Sequence, residues 1–312
     1  MRIRATVAAV SGALALSALA VPAAQADSTS YSPDDIAQSV QSVRQAAAGE
    51  SARSSFSAAD TGAPYALDFT FSNVKVNSGK PIVVGTTAQK TVPVTYTVTH
   101  GADVDLNDPE LYFDVEIWRG SDYANPTNLL YGDDWPTCTA TSDTTASCKG
   151  TIDIYPDVEL SNADATSWKI GGYAVDYNGE DPMADDVNWD NVGYAEQDSL
   201  GTTRLQRLSK LTVNASPEPV VKGKTITVTG KLTRANWDTG SYTGLPSGQS
   251  VVLQFRKAGT TNYTNVKGIK TASGGALKTT VTASTDGYYR FSYAGITNTA
   301  PATVAGDFVD VK

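Results

Sequence analysis

Hydrophobicity in this chain repeats every second residue over long stretches. Val92, Val94, Tyr96 and Val98 alternate with Pro and Thr, and Leu111, Phe113, Val115 and Ile117 alternate with Tyr112, Asp114, Glu116 and Trp118. A period of two is that of an extended strand with one buried face. The pattern resumes at Ile226, Val228, Gly230 and Leu232 and again at Val251, Leu253 and Phe255. From Leu67 onward the strands are short, are separated by Gly, Asn, Asp and Pro clusters, and have no helical period between them. This predicts an all-β chain of antiparallel sandwiches, with the second row of each strand facing solvent.

A weak internal repeat divides the strands into two sets. Val74-Lys75-Val76-Asn77 leads through Val83-Val84-Gly85 into the 92–98 strand, and Leu211-Thr212-Val213-Asn214 leads through Val220-Val221-Lys222-Gly223 into the 226–232 strand. The second module, at about 100 residues, matches the size of an immunoglobulin-like domain, and the first is somewhat longer. Charge splits at the same place. Residues 27–208 hold 28 acidic against 10 basic side chains, and residues 209–312 hold 5 against 12. The expected domains are an acidic sandwich over 67–208 and a basic one over 209–312. The junction from Thr203 to Lys210 lacks Gly and Pro and reads as stiff.

Residues 1–26 read as a signal peptide, with Arg2 and Arg4 before an apolar run and Ala24-Gln25-Ala26 as the cleavage site. Residues 27–66 read as a helix and a flexible connector. Ser32 is the N-cap, Pro33 the first helical residue, and Asp34 and Asp35 lie at the positive end of the dipole. Ile36, Val40, Val43 and Ala47 form a thin stripe, which predicts a loosely docked or transient helix. The polar stretch from Ser51 to Pro64 suits a disordered connector. No later apolar run is long enough to span a bilayer, so the expectation is a secreted, extracellular protein without a transmembrane anchor. Cys138 and Cys148, the only cysteines, then read as a disulfide across a hairpin.

The stretch from Lys210 to Gly240 (KLTVNASPEPVVKGKTITVTGKLTRANWDTG), with Val251 to Thr264 (VVLQFRKAGTTNYT) and Asp286 to Phe291 (DGYYRF), carries a resemblance. It resembles a family of secreted actinomycete proteins with tandem bacterial Ig-like domains. The likeness covers the leader and the second module closely and the first in outline, and it implies fold and export. Some members are labelled calcium-binding, but no ligand motif comes over with that label.

No catalytic constellation stands out. His100 is the only histidine and reads as a surface loop residue, and neither a G-x-S-x-G turn nor a cofactor motif is present. A carboxylate pair acting on a glycosidic bond is the enzymatic alternative, but no spacing singles out two acids. The expectation is a non-catalytic binding or interaction protein.

Its candidate site is an acidic pole. Strand parity brings three loops of the first sandwich to one end: Asp103, Asp105, Asp108 and Glu110 in one, Asp143 at the cystine hairpin, and Asp176, Glu180, Asp181, Asp185, Asp186 and Asp190 in the third. Calcium takes six to eight oxygen ligands from such loops. The candidate ligands are Asp176, Asn178, Glu180, Asp181, Asp185 and Asp186, with Asp103 and Asp105. A solvated acidic loop accounts for the same residues, and both readings stand.

Five tryptophans give a rival reading, a carbohydrate-binding or cell-wall-polymer-binding module. Trp118 and Trp189 are its candidates, while Trp168 and Trp237 read as core. The second module's Lys and Arg residues suit an anionic extracellular polymer or a merely soluble face. No basic stripe interleaved with aromatics points to nucleic acid.

Overall fold

The structure, a computed structural model, describes residues 31–48 and 62–312. The expected leader with its cleavage site and the polar stretch 51–61 lie outside the described residues.

Helix α1 (Pro33–Ala47) starts as its residues dictate. The Asp35 N–H donates to Ser32 Oγ at 3.3 Å, and the Asp35 carboxylate accepts from the Ser32 N–H at 3.0 Å, a reciprocal capping box. The next elements are β1 (Tyr65–Ala66), β2 (Phe69–Val76), β3 (Ile82–Val84), β4 (Lys90–His100), β5 (Leu111–Arg119), β6 (Asn128–Leu130), β7 (Thr137–Ser142), β8 (Thr145–Ile154), β9 (Ser167–Asp176) and β10 (Gly193–Arg207). They form two sheets, β2-β4-β8-β7 and β1-β10-β9-β5-β6, with β3 joining β10. The inner faces meet across the sandwich, where Phe69 and Phe113 ring centroids lie 5.0 Å apart. Val92, Val94, Tyr96 and Val98 are all buried as expected.

The second sandwich holds β11 (Ser209–Leu211), β12 (Asn214–Ser216), β13 (Thr225–Asn236), β14 (Ser241–Gly244), β15 (Ser250–Lys257), β16 (Thr264–Lys270), β17 (Ala276–Thr282), β18 (Gly287–Tyr293), β19 (Ala302–Thr303) and β20 (Asp307–Val309). One sheet is built around β13, flanked by β11, β12, β14 and β17; the other runs β16-β15-β18, with β19 and β20 on β18. Its core includes Ile226, Val228, Leu232, Val251, Leu253 and Phe291. Gly230 interrupts the apolar row because a Cβ there would lie 2.2 Å from the Thr212 carbonyl oxygen. The repeat has a structural counterpart. Val83 pairs in parallel with Gln206 of β10, and Val220 pairs in parallel with Val311.

By packing, the described chain forms two compact units. One comprises 31–48, 62–78, Thr91–Asp153 and Lys169–Thr202; the other comprises Gly79–Lys90, Ile154–Trp168 and Thr203–Lys312. Among the described residues no helix is long and apolar enough to cross a membrane.

Two expectations are corrected. The row Tyr112, Asp114, Glu116 and Trp118 does not face solvent; every residue from Leu111 to Trp118 is buried. The helix is not loosely docked either. Ile36, Val40 and Val43 are fully buried in a cluster with Tyr112, Tyr173, Val175 and Tyr177, so α1 covers the outward face of β5 and β9. Each such side chain contributes roughly 1.5–3 kcal/mol of apolar burial. Ala47, by contrast, is exposed.

Candidate functional site

Arg44 places the helix on the sheet. It shares the α1 face of Val40 and Val43, and its guanidinium donates to Glu116 of β5 and, through Nε at 2.7 Å, to Glu196 of β10. The same guanidinium lies 3.9 Å from the ring centroid of Tyr123. Burial opposes its charge, yet Glu116, Tyr123, Tyr194 and Glu196 together hold its pKa well above the ordinary arginine value. The buried Ser39 hydroxyl meets that of Tyr177, completing a polar seam inside an apolar contact.

Docking of α1 brings Tyr31, the residue before the N-cap, to the end of the sandwich. Its hydroxyl donates to Asp181 at 2.6 Å, and its carbonyl accepts from Trp135 Nε1 at 3.0 Å. Trp135 in turn packs on Tyr112, with centroids 5.2 Å apart. Tyr31, Tyr112 and Trp135 are three walls of an open groove of about 500 Å³. Leu106, Asn107, Asp108, Pro109, Pro136 and Thr137 are among the other residues that line it, and Asp108 is the one carboxylate among the described residues there. The groove therefore combines aromatic rings with an exposed amide, a hydroxyl and one acid.

The three expected loops do meet at this end. The His100 N–H donates to Thr144 O of the cystine hairpin at 3.0 Å, and the Tyr177 N–H donates to Glu110 O at 3.2 Å. Glu110 Oε2 also accepts from the Gly179 N–H at 2.6 Å, where Asn178 and Gly179 both take positive φ to turn the chain. The Asp176 carboxyl is pushed above its ordinary pKa, chiefly by burial and further by Asp108 and Glu110.

The candidate ligands nevertheless point to different partners. Asp105 accepts from Asn107, Asp108 from Glu110, Asp176 from Asn178 and Asp181 from Met183, each through the backbone N–H two residues on. These are Asx turns, in which the carboxylate shapes its own loop. Asn178 donates to the Tyr65 hydroxyl, and Glu180 accepts from Asn188 and Asn191. Such bonds lower the pKa of Asp105 through Asn107, of Glu180 through Asn191 and of Asp181 through Tyr31. Asp103, Asp185 and Asp186 are exposed. Among the described residues no three His, Cys, Asp or Glu side chains are grouped to hold a metal ion.

The tryptophans sort differently from the expectation. Trp168 and Trp237 are core, as read, but Trp118 is buried too, stacked on Tyr123 with centroids 4.9 Å apart. Trp189 is half-buried against the α1 cluster. Trp135, which the sequence did not single out, is the ring that meets the groove. His100 is not a loop residue; it ends β4, buried, with Nδ1 2.9 Å from the Gly101 carbonyl oxygen. Cys138 and Cys148 are bonded as expected and pair directly across β7 and β8, with Cα atoms 4.1 Å apart. Groove and buried Arg44 both escaped the sequence reading. A cation on an apolar helix stripe and acids in a strand as apolar as β5 were the available signal.

No family model matches the chain, and no curated protein matches it. Several solved structures are similar to it. Domains A168–A170 of titin are 9% identical, with 80% of this chain and 68% of that one covered and a TM-score of 0.24. The Yersinia pseudotuberculosis adhesin InvE is 11% identical over 77% of this chain and 58% of its own, with a TM-score of 0.23. The Escherichia coli adhesin FdeC is 12% identical over 80% and 66%, with a TM-score of 0.26. The chain thus spans about six-tenths of the length of the two adhesins. Its own strand order and its twice-used parallel edge pairing define a tandem of immunoglobulin-like sandwiches.

Proposed function

We propose that this chain is a non-catalytic binding protein of the cell exterior, secreted through its N-terminal leader, whose ligand is a glycan seated in the groove of the first sandwich. The observation that carries the reading is the open 500 Å³ groove walled by Tyr31, Tyr112 and Trp135. Aromatic walls stack on the apolar faces of sugar rings, while Asn107, Asp108 and Thr137 offer hydroxyl partners at the rim. The cystine fits an oxidising compartment. Among the described residues one carboxylate, Asp108, lines the groove, which favours binding over hydrolysis by two acids facing one bond.

Binding of the full chain to a glycan array tests the reading. Trp135→Ala should abolish capture, and Asp108→Asn, at an exposed side chain, should weaken it without altering the fold. Capture that is indifferent to both variants would remove the groove from the account.

Calcium is the second reading, favoured by the meeting of the Asp176 and Glu110 loops, where the Tyr177 N–H donates to Glu110 O at 3.2 Å. If it binds, saturation at a hundredfold over the dissociation constant should add about 2.7 kcal/mol to stability. Identical unfolding in millimolar calcium and in chelator eliminates it.

A further inference from the structure

We propose that the outward face of the β16-β15-β18-β20 sheet is a second binding site, and that its ligand is an acidic polysaccharide. The sequence scatters the second module's cations along its length, but the fold gathers two of them into one strip. Arg256 pairs across strands with Tyr288, and Tyr288 with Phe308, while Arg290 pairs with Gln254. The Arg290 guanidinium lies 3.7 Å from the ring centroid of Tyr263, and that of Arg256 lies 4.0 Å from Tyr288 and 5.3 Å from Tyr263. Tyr288 then meets Phe308 at 5.1 Å. The order along the face is Arg290, Tyr263, Arg256, Tyr288, Phe308.

Both guanidiniums are held in fixed planes and lack an acidic partner. Arg290 Nε donates to Gln254 Oε1 at 2.8 Å and Arg256 Nη1 to Thr260 O at 2.6 Å, and among the described residues no carboxylate pairs with either. The nearby acids are engaged elsewhere, Asp307 with the Ala215 N–H and Asp286 with the Val311 N–H. Phe308 at the strip's end is 39% exposed. A planar guanidinium fixed on an aromatic ring recognises carboxylate or sulfate in a fork geometry with little ordering cost. The surrounding module, with 12 basic against 5 acidic side chains, adds long-range attraction for a polyanion. The acidic 27–208 stretch of a second copy is the competing occupant, and salt-sensitive self-association would reveal it. An extended polymer with repeated acidic groups fits a strip that runs across several strands.

The test is binding of the full chain to immobilised polygalacturonate, with heparin as a sulfated polymer and dextran as a neutral one. Binding to either polyanion that fades with added salt and is absent on dextran is the expected result. Arg256→Gln with Arg290→Gln should weaken it about tenfold or more, and Arg256→Lys with Arg290→Lys should restore only part. Lys222→Gln with Lys224→Gln, an equal loss of charge outside the strip, should change it less than about twofold. Unchanged melting of each variant excludes misfolding, and Trp135→Ala, in the other sandwich, should leave this binding intact. Equal losses in the arginine and lysine pairs would overturn the site in favour of diffuse charge. No polyanion binding, or salt-sensitive self-association that the arginine pair abolishes, would overturn the ligand.

Discussion

Arg44, on a helix that precedes the sandwich, donates to Glu116 at the centre of strand β5, and the two side chains are only 1% and 2% exposed. The pair lies between two apolar surfaces, with Tyr123 over the guanidinium and Glu196 as its second acceptor. Removing one member leaves an uncompensated charge inside. Arg44→Met should therefore cost about 3–5 kcal/mol in urea unfolding. Adding Glu116→Gln to that variant should recover part of the loss, and strictly additive single losses would show that the two residues are uncoupled.

Gly171, on β9, has the same ring for a neighbour. A Cβ there would lie 2.4 Å from Tyr123, which stacks on Trp118 and carries Arg44 on its other side. Gly171→Ala should destabilise by roughly 1–3 kcal/mol through overpacking. It should also quicken proteolysis near α1, and digestion at the parent rate would mean that the ring yields without moving the helix.

Acid and base act on this face with opposite signs. Burial pushes the Asp114 carboxyl well above its ordinary value of 3.8, so the folded chain holds that proton more tightly than the unfolded one. Its contribution is fully present below about pH 4 and is lost as pH rises through the raised value. Asp114→Asn, which still accepts from the Val115 N–H, should be more stable than the parent at pH 7 and converge with it near pH 4. Asp181 behaves inversely. Tyr31 and Met183 lower its pKa, so its hold on Tyr31 is present above about pH 4 and weakens as pH falls through the lowered value. Urea unfolding from pH 3 to 8 separates the two.

Cys138 and Cys148 close a loop of 10 residues' separation within one sheet. Replacing both with alanine should cost roughly 2–3 kcal/mol in the chain-entropy model. Because β7 borders the groove, glycan capture should weaken in the same variant; loss of stability with full capture would show that the groove does not depend on the staple.

The strand rows of β4 and β13 were legible because Val92 to Val98 and Ile226 to Leu232 each have one buried face, and burial there depends on the strand's own pattern. Strand β5 was half legible. Leu111 to Ile117 read correctly as inner, but Asp114 and Glu116 read as solvated because their cover lies some 70 residues upstream in α1. The gathering of the acidic loops followed from strand parity alone. What the carboxylates do there did not, since an Asx turn and a cation ligand use the same residue types. Tyr31, Tyr112 and Trp135 come from three separated segments, so no local pattern announces the groove.

The docked helix has a consequence for how the chain comes to be folded. Arg44 precedes Glu116 by 72 residues and Glu196 by 152, so its full set of acceptors exists only once the final strand of the first sandwich is in place. That closure has a long sequence separation and belongs to the slow, late part of assembly. Trimming the chain to start at Gly62 would keep every strand yet uncover an apolar seam and strand two acids in it. The shortened product would be expected to gather into aggregates although its sheets were all present.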